Sequence, residues 1–174
     1  MAGKLIGGGI VALALIAGAV LYYLQVYAFY DEVAETGAGD VALTLLGTDQ
    51  PEAILYDDFK AIDSESSPIR YRACFTTPES HALLTETYES YAPAIPRTGP
   101  DWFDCYDAEA IAAELEAGTA LAFLGEKNIR YGVDRVVVIT DDGRGYVWHT
   151  LNRCTDTLAS EEAKAQDCPD EAQN

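Results

Sequence analysis

From Leu5 to Phe29 the chain runs for 25 residues without a charge, LIGGGIVALALIAGAVLYYLQVYAF, and this stretch constrains every other reading. At about 1.5 Å per residue a helix of this length reaches roughly 37 Å, more than the ~30 Å hydrocarbon core of a bilayer. Its one strongly polar side chain, Gln25, lies near one end, where Tyr22, Tyr23, Tyr27, Phe29 and Tyr30 also gather. Rings with a polar edge favour the headgroup boundary. One transmembrane anchor over residues 1–30 is expected, contacting the lipid bilayer through residues 5–29.

The flanks predict an orientation. Lys4 and the terminal amine precede the span, whereas Asp31, Glu32 and Glu35 follow it, and the next base is Lys60. The positive-inside rule puts the amino terminus in the cytoplasm and the remainder on the far side. A cleaved signal peptide is the rival, with Leu5–Ile16 as its core and Ala17-Gly18-Ala19 as the cleavage site. The apolar run continues through Val20–Phe29, which a secreted mature terminus seldom carries. Both readings export the bulk of the chain.

Residues 31–39 (DEVAETGAG) read as an acidic linker, residues 40–154 as an α+β domain and residues 155–174 as a polar tail. Strand signals fall at Val41–Leu46, Ala53–Phe59, Pro68–Phe75, Thr119–Leu124, Val133–Thr140 and Gly145–Leu151. Between residues 68 and 75, Ile69, Tyr71, Ala73 and Phe75 share one face and Arg70, Arg72 and Cys74 the other, as in a half-buried strand. Thr77-Pro78-Glu79 reads as the start of a helix with Leu83, Leu84, Tyr88 and Tyr91 inward. Asp107 caps a second helix that stops at Gly118, with Ala108, Ile111, Ala112 and Leu115 inward. Asp141-Asp142-Gly143-Arg144 suits a hairpin turn. The expected fold is an antiparallel sheet covered on one side by two helices.

The four cysteines, Cys74, Cys105, Cys154 and Cys168, all lie beyond the span. An even count in an exported domain reads as two disulfides. Three pairings are possible; Cys74–Cys105 with Cys154–Cys168 is expected, the second closing a loop worth about 3 kcal/mol. No Cys-x-x-Cys pair marks a zinc or thiol-redox site, and neither a metal nor a cofactor is expected.

The chain holds 11 Lys and Arg against 29 Asp and Glu, a formal charge of -18. Phosphate neutralisation needs clustered bases, so nucleic acid is not an expected partner. Residues 31–174 carry 10 bases against 29 acids, a net charge of -19, suited to steering a basic partner. Arg70 and Arg72 are candidate partner-binding residues, with internal salt bridges as their plainer role. Asn128, Arg130, Tyr131, Asp134 and Arg135 form the densest polar–aromatic cluster, with Asp134 and Arg135 expected as a surface pair. Trp148 and His149 complete the candidates. His149 lacks any nucleophile motif beside it, and a structural histidine in a sheet is the expected role. No catalytic residue is expected, although a hydrolase would need His149 near a hydroxyl or thiol and a carboxylate.

The stretches SSPIRYRACFTT (66–77), WFDCYDAEAI (102–111), FLGEKNIRYGVDRV (123–136) and WHTLNRC (148–154), together with the apolar span, resemble an uncharacterised family of bacterial single-pass membrane proteins. The resemblance implies an inner-membrane location with a periplasmic domain and no assigned activity. Topology and charge then point to an anchored accessory or assembly protein for another envelope protein, such as a respiratory or cytochrome component. An anchored small-ligand-binding or sensor domain is the alternative, expected to enclose a pocket lined by Tyr71, Tyr88 or Trp148 and an arginine.

Overall fold

The computed structural model describes residues 2–27, 29–37, 39–155 and 168. Its first element, α1 (Ala2–Val26), is one uninterrupted helix. Within it Ile6–Val26 has a mean hydropathy of 2.1, and none of that window is buried. It is long and apolar enough to cross a membrane.

The domain is built on a six-stranded antiparallel sheet in the order β1 (Asp31–Val33), β4 (Asp57–Asp63), β5 (Arg72–Thr76), β8 (Arg144–Leu151), β7 (Val133–Thr140) and β6 (Ala120–Arg130). A small hairpin of β2 (Ala42–Thr44) and β3 (Pro51–Ala53) packs beside it. Two helices, α2 (His81–Thr87) and α3 (Ala108–Ala117), connect β5 to β6, and a 3₁₀ turn (Arg153–Thr155) follows β8.

Strand period two sorts the sheet into two faces. On β7, Val137 and Ile139 join Tyr71, Ala73, Phe75, Phe123 and Val147 in one core, sealed by Leu43 of the hairpin and Leu84 of α2. Val136 and Val138 join Cys74, Tyr146 and Trp148 in the other, sealed by Phe103, Tyr106 and Ile111 of α3. The helices therefore lie on opposite faces, not on one. A near-continuous apolar strand such as Val133–Thr140 needs cover on both sides, and one helix alone is too narrow to provide it.

The α3 boundaries agree with the caps seen in the sequence. Asp107 accepts from the Glu109 and Ala110 amides, and Gly118 ends the helix at φ 74°, a conformation that costs glycine nothing. The α2 start differs. Thr77 accepts from the Glu79 amide at 3.2 Å in a turn of its own, and Ser80 caps the helix on the Leu83 amide. Seven residues bury one side chain, Leu84, and leave Leu83 51% exposed.

Five strands precede the helices, where three were expected. The Ala53–Phe59 segment is interrupted between β3 and β4 at Ile54, Leu55 and Tyr56, with Leu55 solvent-exposed. The Pro68–Phe75 strand starts at Arg72 and is buried on both faces. Residues 31–33 of the expected linker are strand, pairing Asp31 with Asp63 and Val33 with Ala61. Strand β6 continues past Leu124 to Arg130 through two register shifts. Of the expected tail, residues 155 and 168 are described and the others lie outside the described residues.

Both disulfides take the expected pairing, with Cα–Cα distances of 6.2 Å for Cys74–Cys105 and 5.6 Å for Cys154–Cys168. The first ties β5 to the loop before α3. The second holds residue 168 against the 3₁₀ turn.

Candidate functional site

The ladder places the candidate residues at one end of the sheet. Asp31, the first residue of β1, pairs with Asp63, and next to it Ile62 pairs with Arg72, Arg72 with Trp148 and Trp148 with Val136. Beyond that row lie Val133, paired with Leu151, and the last residues of β6. The end of the sheet that receives α1 thus also carries the 64–71 loop, the end of β8 and the β6–β7 turn.

At the β1 corner the domain grips the helix. The Trp102 indole donates to the Val26 carbonyl at 2.7 Å. Its ring stacks on Tyr27 and meets Tyr30 edge-on, each at 6.1 Å between centroids. Arg70 lies over the Tyr30 ring at 5.7 Å. Arg72 points inward and is 4% exposed. Its guanidinium donates to the carbonyls of Ile69, Tyr71, Arg97 and Thr98 at 2.6–3.0 Å, with no carboxylate among these partners. Burial lowers its pKa. Arg72 is a clasp that fastens the 97–98 loop onto β5, in place of the expected salt bridge.

In the middle of this end, His149, Tyr71 and Arg135 form a stack. The imidazole lies on the Tyr71 ring at 4.7 Å, and the Arg135 guanidinium covers the same tyrosine at 4.7 Å. Arg135 Nε donates to His149 Nε2 at 3.1 Å, so Nε2 is the bare nitrogen and Nδ1–H donates to the Pro68 carbonyl at 2.9 Å. Burial, then the charge of Arg135, hold the imidazole pKa down to about 4. With both nitrogens engaged, His149 has no free lone pair to accept a proton from a substrate, and its role here is structural. Trp148 is fully buried in the second core, which removes it from any surface.

Asp134 faces away from Arg135, as neighbours on a strand must. Instead of a surface pair it anchors a buried network. Oδ1 accepts from the Asn128 amide at 3.0 Å and from Asn152 Nδ2 at 2.6 Å, while Oδ2 accepts from the Tyr91 hydroxyl at 3.3 Å. Asn152 also donates to Asn128 Oδ1, and its own Oδ1 caps the Cys154 amide at 2.9 Å. Burial and the Asp134 charge push the Tyr91 hydroxyl up to about 12, so it stays protonated as the donor. Asn128, at φ 51°, and Gly132, at φ 75°, bend the chain between β6 and β7. Arg130 is exposed beside that bend and Tyr131 is half-buried.

This network floors an open cleft of about 830 Å³. One wall is the 91–97 loop with Tyr91, Ile95 and Arg97; the other is Thr150, Leu151 and Arg153, with Lys127 also on its lining. Arg97 donates to the Thr150 hydroxyl at 3.2 Å across the cleft. Ile95 is 66% exposed and Leu151 48%. Among the described residues, the lining sets three bases against one acid, Asp134, in a chain where acids outnumber bases nearly threefold. Tyr71, Tyr88 and Trp148, expected around a pocket, line neither this cleft nor the smaller ones beside β1 and below Tyr91. Arg97, Lys127, Arg153, Ile95 and Trp102 were not among the expected site residues. Pro93 and Pro96 flanking Ile95, with an arginine next, were the available signal for a shaped loop.

The molecule is thus a small α+β domain with an antiparallel sheet, carried behind one helix able to span a bilayer. It belongs to the family of unknown function DUF6446, which matches residues 41–169. The match begins after the helix and β1 and runs past Cys168, so the matched segment takes in the domain from β2 onward and all four cysteines. No curated protein and no solved structure matches the chain.

Proposed function

We propose that this chain is a non-enzymatic accessory protein, anchored in a bacterial inner membrane with its domain in the periplasm, that binds a basic envelope protein such as a cytochrome or respiratory component. Charge segregation along the sheet carries this reading. At the end remote from α1, the register aligns Asp57 with Thr76 and Thr76 with Arg144. Asp57, Asp58, Glu79, Asp141, Asp142 and Glu114 collect there. A neighbouring base, Arg144, is already tied to Glu114 at 2.7 Å and to Asp142 at 2.9 Å. An unneutralised acidic end speeds encounter with a positive partner and loses its hold as salt rises. The two disulfides fit an oxidising compartment.

Affinity capture from gently solubilised membranes is the test. A basic protein should co-purify at low ionic strength, dissociate near 1 M salt, where screening shortens to about 3 Å, and be lost from an Asp57→Asn, Asp58→Asn, Asp141→Asn variant. Recovery of the chain alone at every salt concentration would remove the reading. One observation favours the second reading, an anchored small-ligand-binding domain: the cationic cleft. It predicts that some soluble carboxylate or phosphate compound raises the melting temperature of the full chain; a flat response across such a panel would count against it.

A further inference from the structure

We infer that the loop carrying Trp102 seats the folded domain in the headgroup layer of the bilayer that holds α1, so that the domain touches lipid itself and does not hang clear of the membrane on a tether. The inference rests on the anchor reading and goes beyond it by assigning the domain a second, interfacial contact.

The contacts of Trp102 fix its depth. Tyr23 lies inside the uncharged span, and its ring stacks on Tyr27 at 5.8 Å between centroids, with 24° between the planes. Tyr27 stacks in turn on Trp102 at 6.1 Å and 19°. The indole therefore extends a column of rings that begins on the span, and Tyr27 is about one helical pitch, roughly 5.4 Å, from Tyr23. From Trp102 the column meets Phe103 edge-on at 6.3 Å, and Phe103 is buried in the second core. Tyr30 packs against that same core, and the next residue, Asp31, already pairs with Asp63. Span and sheet are joined ring to ring.

The hydrogen bond of the indole points to the medium. The Val26 carbonyl lies beyond the last helical bond, from the Tyr27 amide to the Tyr23 carbonyl. Water would satisfy such a carbonyl, but at the edge of hydrocarbon it is costly to leave open. Trp102 donates to it at 2.7 Å. The same bond occupies the one N–H that otherwise opposes burying an indole. Around this corner Tyr22, Tyr23, Tyr27 and Phe29 remain 43–61% exposed. Exposed rings with polar edges, grouped at the end of a span, match the headgroup boundary. Charge does not drive the contact. Asp31, Glu32, Asp101 and Asp104 are exposed beside it, and anionic lipid would repel them.

The chain has two tryptophans, and neither lies in α1. Trp148 is fully buried, so a lipid-borne quencher reads Trp102. The test is tryptophan emission of the full chain in phosphatidylcholine nanodiscs with bromine either on the upper methylenes of the acyl chains or near their ends. Emission should fall with the shallow label and hold with the deep one. In Trp102→Phe, which keeps a ring on Tyr27, the remaining emission should no longer respond to the shallow label; an undiminished response would assign the signal to Trp148 and overturn the inference. Adding phosphatidylglycerol should leave the shallow quenching unchanged, and quenching that appears only with it would mean a charge-driven contact instead. An inserted chain quenched by iodide from the water and by neither brominated lipid has its indole in solvent, which overturns the seating alone. An inserted chain that is quenched by none of the three and crosslinks to itself has this corner between two copies, with the same consequence. A chain that stays out of the discs overturns the anchor reading and this inference together.

Discussion

His149 shows how a titratable side chain can be removed from chemistry and still govern stability. Its ordinary pKa of 6.5 falls to about 4 in the folded chain. A depressed pKa means that the unfolded chain takes up the proton first as pH drops. The stability is therefore complete above pH 6.5 and is lost progressively as pH falls towards 4, a change of about 3 kcal/mol. Urea unfolding of the wild type and of His149→Gln across this window should diverge, with the variant curve flatter; parallel curves would mean that the folded imidazole takes up its proton as readily as the unfolded one. Gly145 makes a second residue-scale argument. A methyl group there would lie 2.1 Å from the Phe75 ring, inside a core with no slack, so Gly145→Ala should cost about 1–3 kcal/mol. An unchanged denaturation midpoint would show that Phe75 can swing aside.

At the scale of elements, legibility followed how local the determining forces are. The helix from Ala108 to Ala117 and the hairpin of β7 and β8 were readable because caps, turn residues and apolar period all lie within each segment. Strand β1 was not, since Asp31-Glu32-Val33 acquires its conformation only by pairing with β4. The cleft was unreadable for the same reason: Arg97, Lys127 and Arg153 come from a loop, the far part of β6 and a 3₁₀ turn that only the ladder brings together. Trp102 is the clearest case, a loop residue whose partner, the Val26 carbonyl, lies 76 residues away. It closes a carbonyl left open at the helix end, so Trp102→Phe should keep the ring contact and loosen the junction. Faster amide exchange over residues 27–33, without change in the sheet, is the expected result; equal rates would make the indole hydrogen bond dispensable. The Cys74–Cys105 bridge, spanning 31 residues, restrains the loop that presents Trp102. Replacing both cysteines with alanine should cost about 3–4 kcal/mol by the chain-entropy account, read from urea unfolding of the full chain in detergent.

For the whole molecule the decisive quantity is the distribution of charge, more than its sum of -18. Arg144 is ion-paired to Glu114 and Asp142, while Arg72 spends its charge on carbonyls and Arg135 on a tyrosine and a histidine. Few bases are left to offset the acids of the remote end, so those carboxylates repel one another across solvent. Salt should therefore stabilise the domain. Raising ionic strength from 0.01 M to 0.15 M shortens the screening length from about 30 Å to about 8 Å, enough to mute repulsion between acids on neighbouring elements while leaving contact pairs such as Arg144–Asp142 largely intact. The melting temperature of the full chain should rise over that range, and rise less in the Asp57→Asn, Asp58→Asn, Asp141→Asn variant, which is already relieved of three charges. The same salt range should weaken hold on a basic partner, so stability and binding must move in opposite directions. A melting temperature that falls with salt would mean that attraction outweighs repulsion in this domain, and the acidic end would then be a neutralised surface with little power to steer.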